Sequence, residues 1–494
     1  MNSVKKSSVN GLTLLLIIIV AFIITASCGT SQASTAVTSQ ISSNGTISQA
    51  QSVYVNIDSN KIVTSNTLQL GTQVTWGDLL VFPNSPQEQT LLKAANIKLV
   101  RFFDSDTPIC LNWNEDSHTG NFSWTNVDPV LQAIFACGAQ PLVNLLGGMT
   151  RQTLPSGMEV NSTSGLPYPV DAAAYCAQVV EHFNSKGFPI NYYEVSNEIQ
   201  FYIFQYGNWS WSPDAANRTG YFMTVFNAAY SAIKTINPNA IISFDFITDK
   251  NVLDYWLANE GAEVGSLNFH KYDLNHPSDA PTDQIVFDDV SNQYFGQWPL
   301  GQSLTASQAE YNASIGKILP IIASESNLDS VATDPRTERM AGAVWLALLL
   351  RTEILNGATY NIYFSWSGSL DFCNSVGYYG MFMINSDNNQ PWYPYYVYNI
   401  IGPNLSPGDS ILSSTSTSSD VQSIVWNHQG KTMILLISET DSNVDVSLQG
   451  IKGELTYQKL DNTIPWTNAS IQTGTFNANQ LLMLQGYSVI LLQK

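Results

Sequence analysis

The segment WTNVDPVLQAIFACGAQPLVNLL (124–146) decides the fold, because it runs a helix directly into a strand. Apolar residues recur at helical spacing through VDPVLQAIFAC, Gly138 supplies the stop, and QPLVNLL (140–146) follows as a short apolar run. A helix feeding a buried strand is half of a parallel β/α unit.

Working outward, the same alternation runs from about residue 66 to residue 402. Strands are predicted at LQLGTQV (68–74), IKLVRFF (97–103), QPLVNLL (140–146), NYYEVSN (191–197), AIISFDF (240–246), SLNFHKY (266–272), LPIIASE (319–325) and YNIYFSW (360–366). Helical spacing falls between them, as in EQTLLKAA, VDAAAYCAQVVEHFN and ERMAGAVWLALLLRTEIL. Eight such strands close a barrel. After about residue 405 the helical period disappears. SDVQSIVWNH, KTMILLIS, NVDVSLQGI, GELTYQKL and YSVILLQK read as strands separated by turn residues. The expected architecture is therefore α/β, a (β/α)8 TIM barrel over 66–402 followed by a small antiparallel β-sandwich over 403–494. The stretch 51–65 has strand character and can add to that sandwich.

At 494 residues there is room for one large and one small domain. Only 12% of residues are Asp, Glu, Lys or Arg, against about 25% in an average soluble protein, and the net charge is −19. An acidic chain repels phosphate backbones, so no nucleic-acid partner is expected. Polar surface comes instead from Asn, Ser, Thr, Gln and Tyr, a habit that suits an exported protein and one working in acid. Residues 1–28 read as a signal peptide or membrane anchor, with Lys5 and Lys6 before an apolar run from Leu12 to Ala26. Cys28 follows a poor lipobox, so cleavage, lipidation and an uncleaved anchor all stay open. Residues 29–50 read as a Ser/Thr-rich linker. An extracellular or cell-surface location is expected, with membrane attachment through the N-terminal segment open. Asn-x-Ser/Thr sequons, for instance at Asn121, Asn217, Asn312 and Asn468, fit a glycoprotein. Of the remaining cysteines, 137–176 and 110–373 bridges suit the layout as well as buried thiols do.

In a β/α barrel the chemistry sits where strands end. Arg101 closes strand two, Asn144 strand three, Asn197 and Glu198 strand four, His270 and Tyr272 strand six, Glu325 strand seven and Trp366 strand eight. Two glutamates at one barrel mouth are what glycosidic-bond hydrolysis with retention requires: an acid for the leaving oxygen and an anion for the anomeric carbon. Glu194 shares the parity of Glu198 but lies deeper and reads as structural. Trp76, Asp104, Tyr294 and Trp298 are candidates for the rim. No metal-ligand spacing, phosphate loop or Gly-x-Ser-x-Gly elbow is present, so no cofactor and no metal are expected.

These strand ends resemble clan A, the retaining glycoside hydrolases with a (β/α)8 barrel, whose acid/base follows an Asn on strand four and whose nucleophile ends strand seven. The chain looks most like the family 39 group of β-xylosidases and iduronidases, with arabinofuranosidase and heparanase-like families as neighbours. WTNVDPVLQAIFACGAQPLV (124–143), NAAYSAIKTINPNAIISF (227–244) and GYYGMFMINSDNNQPWYPYYVYNI (377–400) carry the resemblance beyond the glutamates. The acid/base motif reads NEI where NEP is usual, and Asn144 stands where Glu or His is common.

The resemblance implies Glu198 as acid/base and Glu325 as nucleophile. Asn197, Arg101, His270, Tyr272, Trp366 and Asn144 would surround the substrate, with Arg101 and Tyr272 against Glu325 and Trp366 beneath the sugar. The expected partner is a carbohydrate, cleaved in the manner of a β-xylosidase or xylanase. α-L-arabinofuranosidase, β-glucuronidase and β-glucanase specificities stay open, as does a non-catalytic carbohydrate-binding protein on an inactive barrel. Whether the two glutamates face each other across one pocket separates these readings.

Overall fold

The computed structural model describes residues 52–75, 80–106, 109–149, 151, 153–205, 210–245, 249–259, 261–274, 277–291, 304–330, 334–368, 382–386 and 388–494. The expected N-terminal export segment and linker, together with Trp76, Tyr294, Trp298 and Cys373, lie outside them. Eight strands form one parallel sheet: strand one Gln69–Gln73, two Leu99–Phe103, three Gln140–Leu145, four Tyr192–Val195, five Ile241–Ser243, six Leu267–Leu274, seven Ile321–Asp329 and eight Tyr360–Tyr363. Their order, five-four-three-two-one-eight-seven-six, is that of a (β/α)8 barrel opened between strands five and six. That seam is bridged by two bonds: Gly265 N to Ile242 O at 2.7 Å and Ser243 Oγ to Ser266 O at 2.6 Å. A glycine is required there, since a Cβ on Gly265 would lie 2.9 Å from Ile242 N.

Helices between the strands start on sequence-encoded caps. Ser85 accepts from Glu88 N ahead of Pro86, Ser212 from Ala215 N ahead of Pro213, and Asp249 from Asn251 N.

Inside the barrel the floor is apolar, with Leu99, Leu142, Ile322, Tyr360 and Ile362 forming one buried cluster. Two residues along from Leu99, Leu142 and Tyr192, the strand period places Arg101, Asn144 and Glu194 above that floor. The interior therefore passes from hydrocarbon to charge towards the C-terminal ends of the strands.

Nine further strands form a second large sheet, mostly antiparallel. Val53–Ser65 joins it, pairing antiparallel with Ser410–Ser416 and parallel with Val444–Gln449. The central strands of this sheet are buried on both faces. Val425, Ile434, Leu436, Ile490 and Leu492 enter a core within the sheet's own fold. Their neighbours Ile424, Trp426, Met433, Leu435, Ile437, Val489 and Leu491 join the core of the barrel. Between the two lies the helix Met340–Leu355, which touches the strands Lys431–Ser438 and Ser488–Gln493 and is buried around nearly its whole circumference. Its sequence, MAGAVWLALLLRTEIL, lacks a polar face for that reason.

Cys110, Cys137 and Cys176 are free thiols, so the 137–176 bridge is not formed. The Cys137 thiol instead points at Gln89 O, 3.7 Å away. Among the described residues no helix is long and apolar enough to cross a membrane.

Candidate active site

Arg101 organises the mouth of the barrel. Fully buried, it donates through Nε to Glu194 at 2.7 Å and through Nη1 to Gln73 at 2.7 Å and Glu325 at 2.5 Å. Its Nη2 donates to Asn197 Oδ1 at 2.7 Å. Because guanidinium only donates, the Asn197 carbonyl oxygen is the atom engaged, which leaves that side chain an N–H donor. Arg101 is thus a scaffold for other side chains, and its complete burial corrects the expectation that it meets substrate directly.

Glu194 is saturated in this arrangement. Besides Arg101 it accepts from Asn144 Nδ2 at 3.1 Å and Asn268 Nδ2 at 2.9 Å. Burial opposes its charge, but Arg101, His270 and the two amides hold it below the usual carboxylate range. Asn144 also donates to Ser196 O at 2.7 Å and is fully buried. It braces the end of strand four and does not line the substrate space, a second correction.

Glu325 follows a register shift between Ala323 and Glu325 on strand seven, a bulge of the kind that re-aims a side chain. One oxygen meets Arg101, and the other accepts from Tyr272 Oη at 2.6 Å. The Tyr272 hydroxyl is pushed well above its ordinary value by burial and by Glu325, so it stays a donor. Glu198 is placed differently. Its side chain is 34% exposed against 6% for Glu325. It sits beyond strand four on a backbone with Ser196 at φ +82° and Glu198 itself at φ +51°. Each such non-glycine conformation costs on the order of 1–3 kcal/mol. Bonds from Ser196 N to Leu145 O at 3.0 Å, Asn197 N to Gly147 O at 2.8 Å and Glu198 N to Asp245 Oδ2 at 2.5 Å hold it.

His270 lies between the glutamates, its Nδ1 being 3.5 Å from Glu198 Oε1 and 3.5 Å from Glu325 Oε2. Burial works against an imidazolium, but Glu325, Glu198 and Asp245 outweigh it and lift the ring to about 9. One atom each from Glu198, His270 and Glu325 lie within 4.8 Å of one another. That spacing is also of a size for a cation, which would have to displace the imidazole proton to bind. The two glutamates therefore face each other across a single mouth.

Trp366 is fully buried and meets Tyr395 edge-on at 6.2 Å, so it is not a platform for a sugar. Strand eight ends at Tyr363, and the partly exposed ring beyond it is Phe364, 6.4 Å from Tyr272. Asp104 is likewise buried, accepting from Leu146 N at 3.0 Å and Tyr175 Oη at 2.9 Å, rather than on the rim. Asp245 is the residue that sequence reasoning missed. It stands next to last in the run AIISFDF, as the one charged residue there.

No protein-family model and no curated protein matches the sequence. Solved structures do match over nearly the whole chain. The GH39 enzyme from Xanthomonas axonopodis pv. citri is 13% identical, with a TM-score of 0.61 over 92% of this chain and 99% of that one. A monomeric β-xylosidase from Caulobacter crescentus CB15 is 14% identical, with a TM-score of 0.60 over 89% and 99%. The family 30 subfamily 8 xylanase Xyn30A from Clostridium acetobutylicum is 15% identical, with a TM-score of 0.56 over 89% and 98%. In architecture, a β/α barrel with an attached β-sheet domain, this chain shares the fold of these glycoside hydrolases.

Proposed function

We propose that the protein is a retaining glycoside hydrolase that cleaves O-glycosidic bonds by double displacement. The observation that carries this reading is the unequal setting of two facing glutamates. Glu325 is gripped by donors on both oxygens, as suits an anion that attacks the anomeric carbon. Glu198 is more exposed, and among the described residues its carboxylate approaches His270, as suits a group that gives and takes a proton. One oxygen of Glu198 lies within 4.8 Å of one oxygen of Glu325, an approach that supports the short ~5–5.5 Å carboxyl separation of retaining enzymes over the ~6.5–9.5 Å of inverting ones.

In the first step Glu325 bonds to the anomeric carbon while Glu198 protonates the departing oxygen. In the second, Glu198 takes a proton from water, which displaces Glu325 and restores the starting configuration. The free amide N–H of Asn197 is placed to donate to a hydroxyl of the reacting sugar. Phe364 offers a ring beside Tyr272 for its apolar face. The fold's likeness to structures described as a β-xylosidase, a xylanase and an arabinofuranosidase favours a pentose-containing, plant-type glycan. With the N-terminal apolar segment, this reading places the enzyme outside the cell or at its surface.

The test is a panel of aryl β-xyloside, β-glucoside, β-glucuronide and α-arabinofuranoside, with xylan and glucan beside it. Wild type should turn over at least one, Glu325→Ala none, and Glu198→Ala only aryl glycosides with good leaving groups. Wild-type levels in both variants would end the proposal.

A further inference from the structure

Arg101 is committed to Glu194 and Glu325, and among the described residues Glu198 and Asp245 face one further cation at the mouth, His270. Asp245 lies two residues beyond strand five and is 1% exposed. Its Oδ2 accepts the backbone N–H of Glu198 at 2.5 Å and stands 3.8 Å from His270 Nε2. Its Oδ1 and both ring nitrogens of His270 are buried without a hydrogen-bond partner among the described residues. Buried polar atoms are rarely left so, and catalytic contacts of this length commonly tighten in the Michaelis or transition-state complex.

We infer that Asp245 is a positioning residue of the catalytic centre, clamping the strained backbone of Glu198 and holding a protonated His270 between the two glutamates. The inference rests on the hydrolase reading above and adds to it the residue that sets the acid/base in place. Two tasks meet in one carboxylate. As an acceptor it fixes Glu198 at its left-handed φ. As an anion it supports the imidazolium that screens Glu198 from Glu325, so that two carboxylates can work within 4.8 Å.

The charged and titratable groups around the pair are Glu198 and Glu194 from strand four, Glu325 from strand seven, Arg101 from strand two and Tyr272 from strand six. Burial lifts Asp245 to about 7, an effect that His270 opposes and that Glu194 and Glu198 reinforce. Asp245 thus gives up its proton near pH 7 and His270 near pH 9, so the pair carries both charges between those values.

Asp245→Asn keeps an acceptor for Glu198 N and removes the charge, whereas Asp245→Ala removes both. For Asp245→Asn, the alkaline limb of kcat/KM should move down by roughly one pH unit, since His270 loses an anion that favours its charged form. The kcat on a poor leaving group should fall about 10- to 100-fold more than on a dinitrophenyl glycoside. Asp245→Ala should lose more on both. An unaltered pH profile and leaving-group dependence in Asp245→Asn would overturn the inference, whatever happens to Tm. NMR titration of His270, one of five histidines, reads the same coupling without turnover. Its pKa should drop by about one unit in Asp245→Asn, and no drop would contradict the coupling. Should wild type hydrolyse no glycoside while that drop is seen, the hydrolase reading fails and the Asp245–His270 coupling stands.

Discussion

Arg101 and Glu325 are joined by a buried 2.5 Å bond, and the other nitrogens of the same guanidinium bind Glu194 and Asn197. One side chain from strand two therefore fixes the proposed nucleophile, its neighbour on strand four and the amide beside the proposed acid. Arg101→Lys keeps the charge but loses the fork that reaches several partners at once. It should lower kcat by about 10²–10³-fold with a smaller change in KM, the mark of a lost preorganised contact. Steady-state kinetics on the best aryl glycoside checks this.

Glu194 is the structural counterpart of Glu325. It makes no contact with open space, and its removal leaves Arg101, Asn144 and Asn268 with unmet donors. Glu194→Ala should destabilise the fold by about 3–5 kcal/mol, the typical consequence of unpairing a buried ion pair. Denaturant unfolding measures it, and a loss below about 1 kcal/mol would contradict the description of this network.

The two aromatic residues near the end of strand eight should separate cleanly. Trp366→Ala removes a fully buried ring and should cost about 3–5 kcal/mol of stability. Phe364→Ala removes a partly exposed ring beside Tyr272 and should leave Tm nearly unchanged while raising KM several-fold. Thermal scans and kinetics on the pair read both effects.

Stability should rise as pH falls from 8 towards 4.5. Burial lifts Asp104 to about 7, Asp249 to about 6 and Glu353 to about 8. A carboxyl raised in the folded state binds its proton more tightly there than in the unfolded chain. Its contribution is full below the ordinary carboxylate value near 4 and is lost as pH rises through 6 to 8. Tm should therefore be several degrees higher at pH 4.5 than at pH 8, and Asp104→Asn should flatten the trend. A Tm that climbs steadily from pH 4.5 to 8 would contradict these environments.

The barrel was legible because a buried parallel strand is a short apolar run between helices, and all eight runs read in the sequence became strands of one sheet. Strand-end reading also brought Arg101, Asn197, Glu198, His270, Tyr272 and Glu325 to one mouth. What failed was the placing of strand ends. Trp366 was read as closing strand eight, but that strand stops at Tyr363 and Trp366 lies buried three residues beyond it, with Phe364 the partly exposed ring between them. Asn144 is one step too deep, where the interior closes over Glu194. Asp245 was hidden because strand five ends at Ser243, and the side chain acts on a backbone N–H that no spacing rule reveals.

The double-displacement claim is tested most directly by trapping its intermediate. The enzyme would be incubated with the 2-deoxy-2-fluoro analogue of its best aryl glycoside and then digested for peptide mass mapping. The account predicts one added glycosyl mass, carried by Glu325. A label on any other residue, or turnover with inverted anomeric configuration and no label, would contradict it.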